Sequence, residues 1–110
     1  MGSTAKLQNF SHRLELQTLS EEVSPSGELS QQWTIICSVW GALFDKSVIR
    51  DEQAQQMRET INLSVLIRYR DDVANGWRFL LGERELTILT VHDPDETKRF
   101  LSCRCEEQGR

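Results

Sequence analysis

Two cysteines two residues apart, Cys103 and Cys105, are the first candidates for chemistry in this sequence. On a strand, residues i and i+2 share a face, so both thiols point the same way. Such a pair is half of a zinc knuckle, but a structural zinc site wants four ligands. Cys37 and the two histidines, His12 and His92, would have to complete it from distant parts of the chain. Two buried, small apolar side chains are the plainer reading, because free cysteine is among the most buried residue types. No metal set and no cofactor are therefore expected.

Catalysis has little to work with. His92-Asp93 are sequence neighbours, but neighbours on a strand point to opposite faces, so adjacency makes no dyad. No serine sits in a glycine-flanked nucleophile turn. Asp93, Asp95 and Glu96 open like a calcium loop, yet the glycine at position six and the glutamate at position twelve are missing. A hairpin turn around Pro94 accounts for them. Asn9-Phe10-Ser11 and Asn62-Leu63-Ser64 match the glycosylation pattern, which carries no weight without a secretory signal. Arg68-Tyr69-Arg70 and Trp77-Arg78 interleave basic and aromatic residues as a nucleic-acid face does. Against that, Tyr69 and Trp77 have inward parity, and Asp71-Asp72 cancels the charge at once. The expectation is a protein that is not an enzyme.

The elements that must position these residues are strands. His12–Leu19 alternates, with Phe10, Leu14 and Leu16 of one parity. Ser24-Pro25-Ser26-Gly27 centres a turn over 21–30. A second strand spans about 32–43, in which Trp33, Ile35, Cys37 and Val39 share one parity and Trp40, Ala42 and Phe44 the other. A β-bulge near Gly41 would explain that switch. Trp40 is expected in the core, and Trp33 in the core or at the rim. Residues 45–60 break the pattern and read as a long excursion loop or a short helix, with the lean to helix. Alternation returns over 61–70, with Leu66 alone apolar on the outer parity. Trp77, Phe79 and Leu81 form a short strand closed by Gly82-Glu83-Arg84. Strands over 85–91, with Leu86 and Ile88 inward, and over 99–106 follow.

About six strands give an all-β fold, a small barrel or sandwich, with one insertion between strands 2 and 3. A single domain over 10–106 is expected, with flexible ends at 1–9 and 107–110. The 110 residues fit one domain and hide roughly 65% of the unfolded surface. Thirteen cations against 17 acids leave a net charge of −4, which excludes a dedicated basic clamp for nucleic acid or an anionic membrane. Three cysteines, an odd number, in a chain that opens without a signal peptide point to a reducing, intracellular place of manufacture.

Read in order, these segments resemble the tailed-bacteriophage head–tail joining proteins, also called head–tail adaptor, head-closure or stopper proteins. The similarity runs through His12-Arg13-Leu14-Glu15-Leu16-Gln17, then Gly27 followed by Trp33, then Val39-Trp40-Gly41-Ala42. It continues through Glu52 with Ala54, Ile67-Arg68-Tyr69-Arg70 and Trp77-Arg78-Phe79. Glu85-Leu86-Thr87-Ile88, Val91-His92-Asp93 and Leu101-Ser102-Cys103 complete it, covering roughly residues 10 to 106. The chain departs from the pattern at Phe44-Asp45-Lys46-Ser47, where the family often has glycine, and in its second cysteine in the last strand.

The resemblance implies a structural virion protein, made in the bacterial host cytoplasm and placed at the virion neck. It would assemble as a ring on the portal and adaptor complex, close the DNA-filled head and offer a surface to tail proteins. Genomic DNA would pass through without sequence-specific contact, and neither membrane nor small-molecule substrate would be involved. The excursion would face the ring or its channel, through Val48, Ile49, Arg50, Asp51, Glu52, Met57, Arg58 and Glu59. Two competing readings are a free-standing barrel module that binds protein or nucleic acid, and a tail-terminator-like neck protein.

Overall fold

The structure, a computed structural model, describes residues 10–51 and 58–108. Six strands follow one another: β1 (His12–Val23), β2 (Leu29–Asp51), β3 (Arg58–Arg68), β4 (Arg78–Leu81), β5 (Arg84–His92) and β6 (Phe100–Gln108). All pairings are antiparallel, and the sheet closes on itself in the order β1-β2-β3-β6-β5-β4. The expected all-β fold of about six strands is borne out, and of the barrel and the sandwich it is the closed barrel. Residues 1–9 and 109–110 of the expected flexible ends lie outside the described residues, while Glu107 and Gln108 belong to β6.

Alternation builds the core. Leu14 and Leu16 of β1, Leu63, Val65 and Ile67 of β3, Phe79 of β4, Leu86 and Ile88 of β5, and Leu101, Cys103 and Cys105 of β6 form one buried cluster. Cys37, Val39 and Leu43 of β2 pack against it, as do Tyr69 and Trp77. The β4–β5 connection is a two-residue turn, with Leu81 opposite Arg84 and Gly82 at φ 62. A positive φ at the first turn position is what such a hairpin demands, and glycine supplies it without strain.

The insertion is not a helix in its described parts. Residues 45–51 and 58–60 extend β2 and β3 as a ribbon, with Val48 opposite Ile61 and Arg50 opposite Glu59. The Arg50–Glu59 ion pair, at 3.1 Å, spans the two strands. Cross-strand pairing overrides the helical look of a Gly- and Pro-free polar stretch; before Thr60, where β6 does not pair with β3, the ribbon is two-stranded and wet on both faces. Glu52 and Met57 lie outside the described residues.

The parity of β2 also differs from expectation. Cys37, Val39, Gly41 and Leu43 all face the core, so no switch occurs at Gly41. The irregularities sit on either side of it. Ile36 is the extra residue where Leu16 pairs with Cys37 and Gln17 with Ile35. Asp45 and Lys46 together oppose Leu63, and Asp45 takes φ 54 there. Trp40 therefore faces outward and is 56% exposed rather than in the core. Trp33 is half-buried at the rim, its ring covered by the Arg78 guanidinium at 4.0 Å.

Gly41 is present for close approach. A Cβ there would lie 2.8 Å from Leu14 Cδ1, 3.0 Å from the Leu66 carbonyl oxygen and 3.2 Å from Ile67 Cγ2. Gly41→Ala should destabilise the protein by about 1–3 kcal/mol through overpacking, measured by chemical denaturation. In the same assay Trp40→Ala should cost under about 1 kcal/mol, as an exposed side chain leaves no cavity.

Candidate functional site

Two ribbons project from a small body. The radius of gyration is 15.9 Å, above the value of about 13 Å for a compact chain of this length. Beyond Gln17, β1 pairs only with β2, because its contact with β4 is confined to Glu15, Leu16 and Gln17. Beyond Phe44, β2 pairs only with β3.

The first ribbon is amphipathic, and its apolar face points away from the core. Directly opposed residues share a face, so Leu19 with Trp33, Glu21 with Gln31, and Val23 with Leu29 line one side. Thr18 with Thr34, Ser20 with Gln32, and Glu22 with Ser30 line the other. That polar side continues the inward parity of Leu14 and Leu16. The bulge at Ile36 is where the apolar pattern changes sides. Val23 is 69% exposed, Leu29 62% and Ile35 59%, although all three belong to strands. Across the polar side the Ser20 hydroxyl donates to the Gln32 carbonyl at 3.1 Å.

A polar cluster fixes the root of this ribbon. Arg78 Nε donates to Gln17 Oε1 at 2.7 Å, and Gln17 Nε2 donates to Glu15 Oε1 at 2.6 Å. Arg78 Nη1 also pairs with Glu85 at 3.1 Å, while its plane lies over Trp33. One guanidinium thus ties β1, β2, β4 and β5 together on the outer surface. Gln17 is buried by this arrangement although its parity is outward.

The opposite end of the same strand pair carries a basic, aromatic depression lined by Phe10, Ser38, Val39, Trp40, Arg68, Tyr69 and Arg70. Arg13 sits directly across from Trp40. Arg70 is held in a fork by Asp72, at 3.0 and 2.8 Å, which raises the Arg70 pKa and lowers that of Asp72. A second depression, lined by Glu83, Arg84, Glu85, Glu106 and Glu107 among others, is acidic. There Arg84 grips Glu107 in a fork at 2.9 Å on both arms, which raises the Arg84 pKa.

The residues first considered for chemistry are otherwise engaged. Cys103 and Cys105 are fully buried, and desolvation pushes the Cys103 thiol up to about 12 and Cys105 higher still. Among the described residues no three of His, Cys, Asp and Glu come together as a metal would require. The acidic run after β5 knits its own turn: Asp93 Oδ2 accepts from the Lys98 amide at 2.7 Å, and Asp95 Oδ1 accepts from the Thr97 hydroxyl at 2.6 Å. The Thr97 hydroxyl first and the Arg99 guanidinium second hold Asp95 down to about 2. Tyr69 and Trp77 pack on the core and offer no open stacking face of the kind a single-strand binder needs.

Of the excursion residues, Val48 and Ile49 are 50% and 53% exposed on opposite faces of the second ribbon, with Arg50 paired to Glu59. Asp51 stands opposite Arg58 in the backbone register at its described end. The apolar face of the first ribbon escaped the sequence reading, because residues 21–30 looked like one long turn. The signal was present as a mirror about Ser24-Pro25-Ser26-Gly27: Leu19, Glu21, Val23 on one side and Leu29, Gln31, Trp33 on the other.

The chain belongs to the phage head completion protein family, whose model matches residues 6–108. It is thus a structural, head-related virion protein of a family not known for enzymes, associated with other phage proteins. Among solved structures, a chain of the virion of a native gene transfer agent particle is similar over 90% of this chain and 94% of its own length, with TM-score 0.75 and 20% identity. Protein SF1141 of Shigella flexneri 2a, solved in solution, is similar over 87% of this chain and 90% of its own, with TM-score 0.62 and 23% identity. At those identities both likenesses speak for the fold. No curated protein sequence matches.

The thiols give a pH prediction. In the unfolded chain they ionise near 9.0, whereas the folded Cys103 keeps its proton to about 12. The stabilisation is complete below about pH 9 and is lost as pH rises toward 12. Denaturation midpoints should fall over that window, and less so in a Cys103→Ala/Cys105→Ala variant compared with its own neutral-pH value. A thiol reagent at neutral pH should label the half-buried Cys37 ahead of the other two.

Proposed function

We propose that this protein joins the DNA-filled head to the tail, assembling at the virion neck as a ring on the portal and adaptor complex and closing the head channel. The observation that carries this reading is family membership over nearly the whole chain, on a body whose free surfaces are strands built for contact. A likeness in fold to a chain of a gene transfer agent virion supports it. The second ribbon suits a place between neighbours or in the channel. Val48 and Ile49 leave apolar side chains on both of its faces, so it gains by being covered on both. Val48, Ile49, Arg50, Asp51, Arg58 and Glu59, with Glu52 and Met57 between them, are the residues we assign to that contact.

The charge fits a conduit better than a clamp. Gripping DNA needs arginines and lysines free for phosphate, and the net charge here is −4. DNA slides past such a surface without sequence-specific contact. Synthesis in the host cytoplasm, with free thiols, follows from the same reading.

Two measurements test it. Electron microscopy of lysates lacking the gene should show separate tails beside heads that have lost DNA; intact, tailed, DNA-filled particles would refute the joining role. Removing residues 48–57 should leave a cooperatively melting barrel, because β3 pairs with β6 from Thr60 onward and with β2 over Gly41–Phe44. The same deletion should abolish particle assembly, and full infectivity from the truncated protein would count against the role given to this ribbon.

A further inference from the structure

The first ribbon lies at one end of the β1–β2 pair and the basic depression at the other, and their chemistries are complementary. At the depression the outward Ser38, Trp40 and Arg68 meet Phe10, Val39 and Tyr69 of the inward parity. Between Gln17 and Ile36 the chain has three carboxylates, Glu21, Glu22 and Glu28, and no cation. Glu21 stands in the middle of the apolar face, between Leu19 and Val23. At the other end Phe10 and Trp40 supply apolar surface, and Arg68 and Arg70 line the depression, Arg70 already held by Asp72. Arg68 is exposed, and neither it nor Arg13 makes an ion pair among the described residues.

A two-stranded ribbon is marginal in water unless a third layer covers its apolar face. Among the described residues no third layer lies over it, because the apolar pattern changes to the outer side at Ile36. The occupant must offer apolar surface rimmed by positive charge. The depression at the other end of β1–β2 has that composition. Arg13 and Glu21 are eight residues apart on one extended strand, about 26 Å, so a single copy cannot fold its ribbon onto its own depression.

We propose that the ribbon of one copy, through Leu19, Val23, Leu29 and Trp33 around Glu21, seats in the Trp40–Arg68 depression of a second copy. The contact is between two different patches of identical chains, the kind that propagates around a closed ring. It deepens the ring-forming reading above and rests on it. Apolar burial supplies the attraction, and the Glu21–Arg68 pairing fixes the register, since like charges brought together at that point oppose docking.

The test exchanges the charges in particles made by complementing the gene deletion. Glu21→Arg alone and Arg68→Glu alone should each lower the yield of DNA-retaining, tailed particles about tenfold or more. The Glu21→Arg/Arg68→Glu double variant should recover to within about threefold of the parent, because the pair is restored in reverse. Glu22→Arg, on the polar face of the same ribbon, should leave the yield unchanged. Thermal melts of the purified variants should match the parent, as all three residues are exposed. Single variants at parental yield, a double variant as defective as the singles, or a Glu22→Arg defect equal to that of Glu21→Arg would each overturn the contact. The two failures are distinguishable: a deletion that still yields DNA-filled, tailed particles removes the joining role itself. A defective deletion with normal charge variants removes only this interface.

Discussion

The fold depends on what happens at Gly41. Residues of β2 before it pair with β1 and residues after it pair with β3, and Gly41 alone is paired on both sides, with His12 and Ile67. One 23-residue strand thereby serves two different strand pairs, and the small barrel closes where they cross. That crossing is tight. Leu14 from one side and Ile67 from the other reach the space a side chain at 41 would fill. A larger residue would push apart the strands whose inward leucines and valines form the core. It is the close approach, not a left-handed backbone, that calls for glycine.

The two bulges flanking Gly41 decide which surfaces are left over. A bulge adds one residue to one strand and so exchanges the faces beyond it. The one at Ile36 turns the apolar side of the first ribbon outward, and the one at Asp45–Lys46 places Ile49 outward while Val48 keeps the side of Ile61. Without the first bulge, Trp33 and Ile35 would keep the inner parity of Cys37 while Leu19 and Val23 faced outward opposite polar residues, and the ribbon would have no continuous apolar face. The Arg78 cluster fits this geometry. A guanidinium held by Gln17 and Glu85 and stacked on Trp33 anchors the ribbon where its pattern inverts.

Most of the barrel was legible in the sequence because its strands obey period two against a single core. Leu14 and Leu16, the 61–67 run, Phe79, Leu86 with Ile88, and Leu101 with the cysteines all read correctly from parity alone. The positions that misled are those where parity is locally broken or where both faces are wet. Trp40 looked like core because large aromatics usually are, and because the switch of faces was placed at the glycine rather than at Ile36 and Asp45. The excursion looked helical because a ribbon with two solvated faces has no alternation to display. Leu66 read as an isolated outer residue, yet it is buried beside Ala42 and Ser102, its cross-strand neighbours. Bulges are set by pairing between distant segments, and a single sequence carries no direct mark of them.

The distribution of stability follows from the same plan. The barrel holds nearly all of the buried apolar side chains, whereas the ribbons hold exposed ones, an ion pair at the surface and a few hydroxyl contacts. Surface pairs such as Arg50–Glu59 contribute at most about 1 kcal/mol. The ribbons are therefore the first elements to open and the last to order. In an enzyme such segments would be a liability without a return. In an assembly protein they place the unspent apolar surface where a neighbour can cover it, while the barrel carries the buried core.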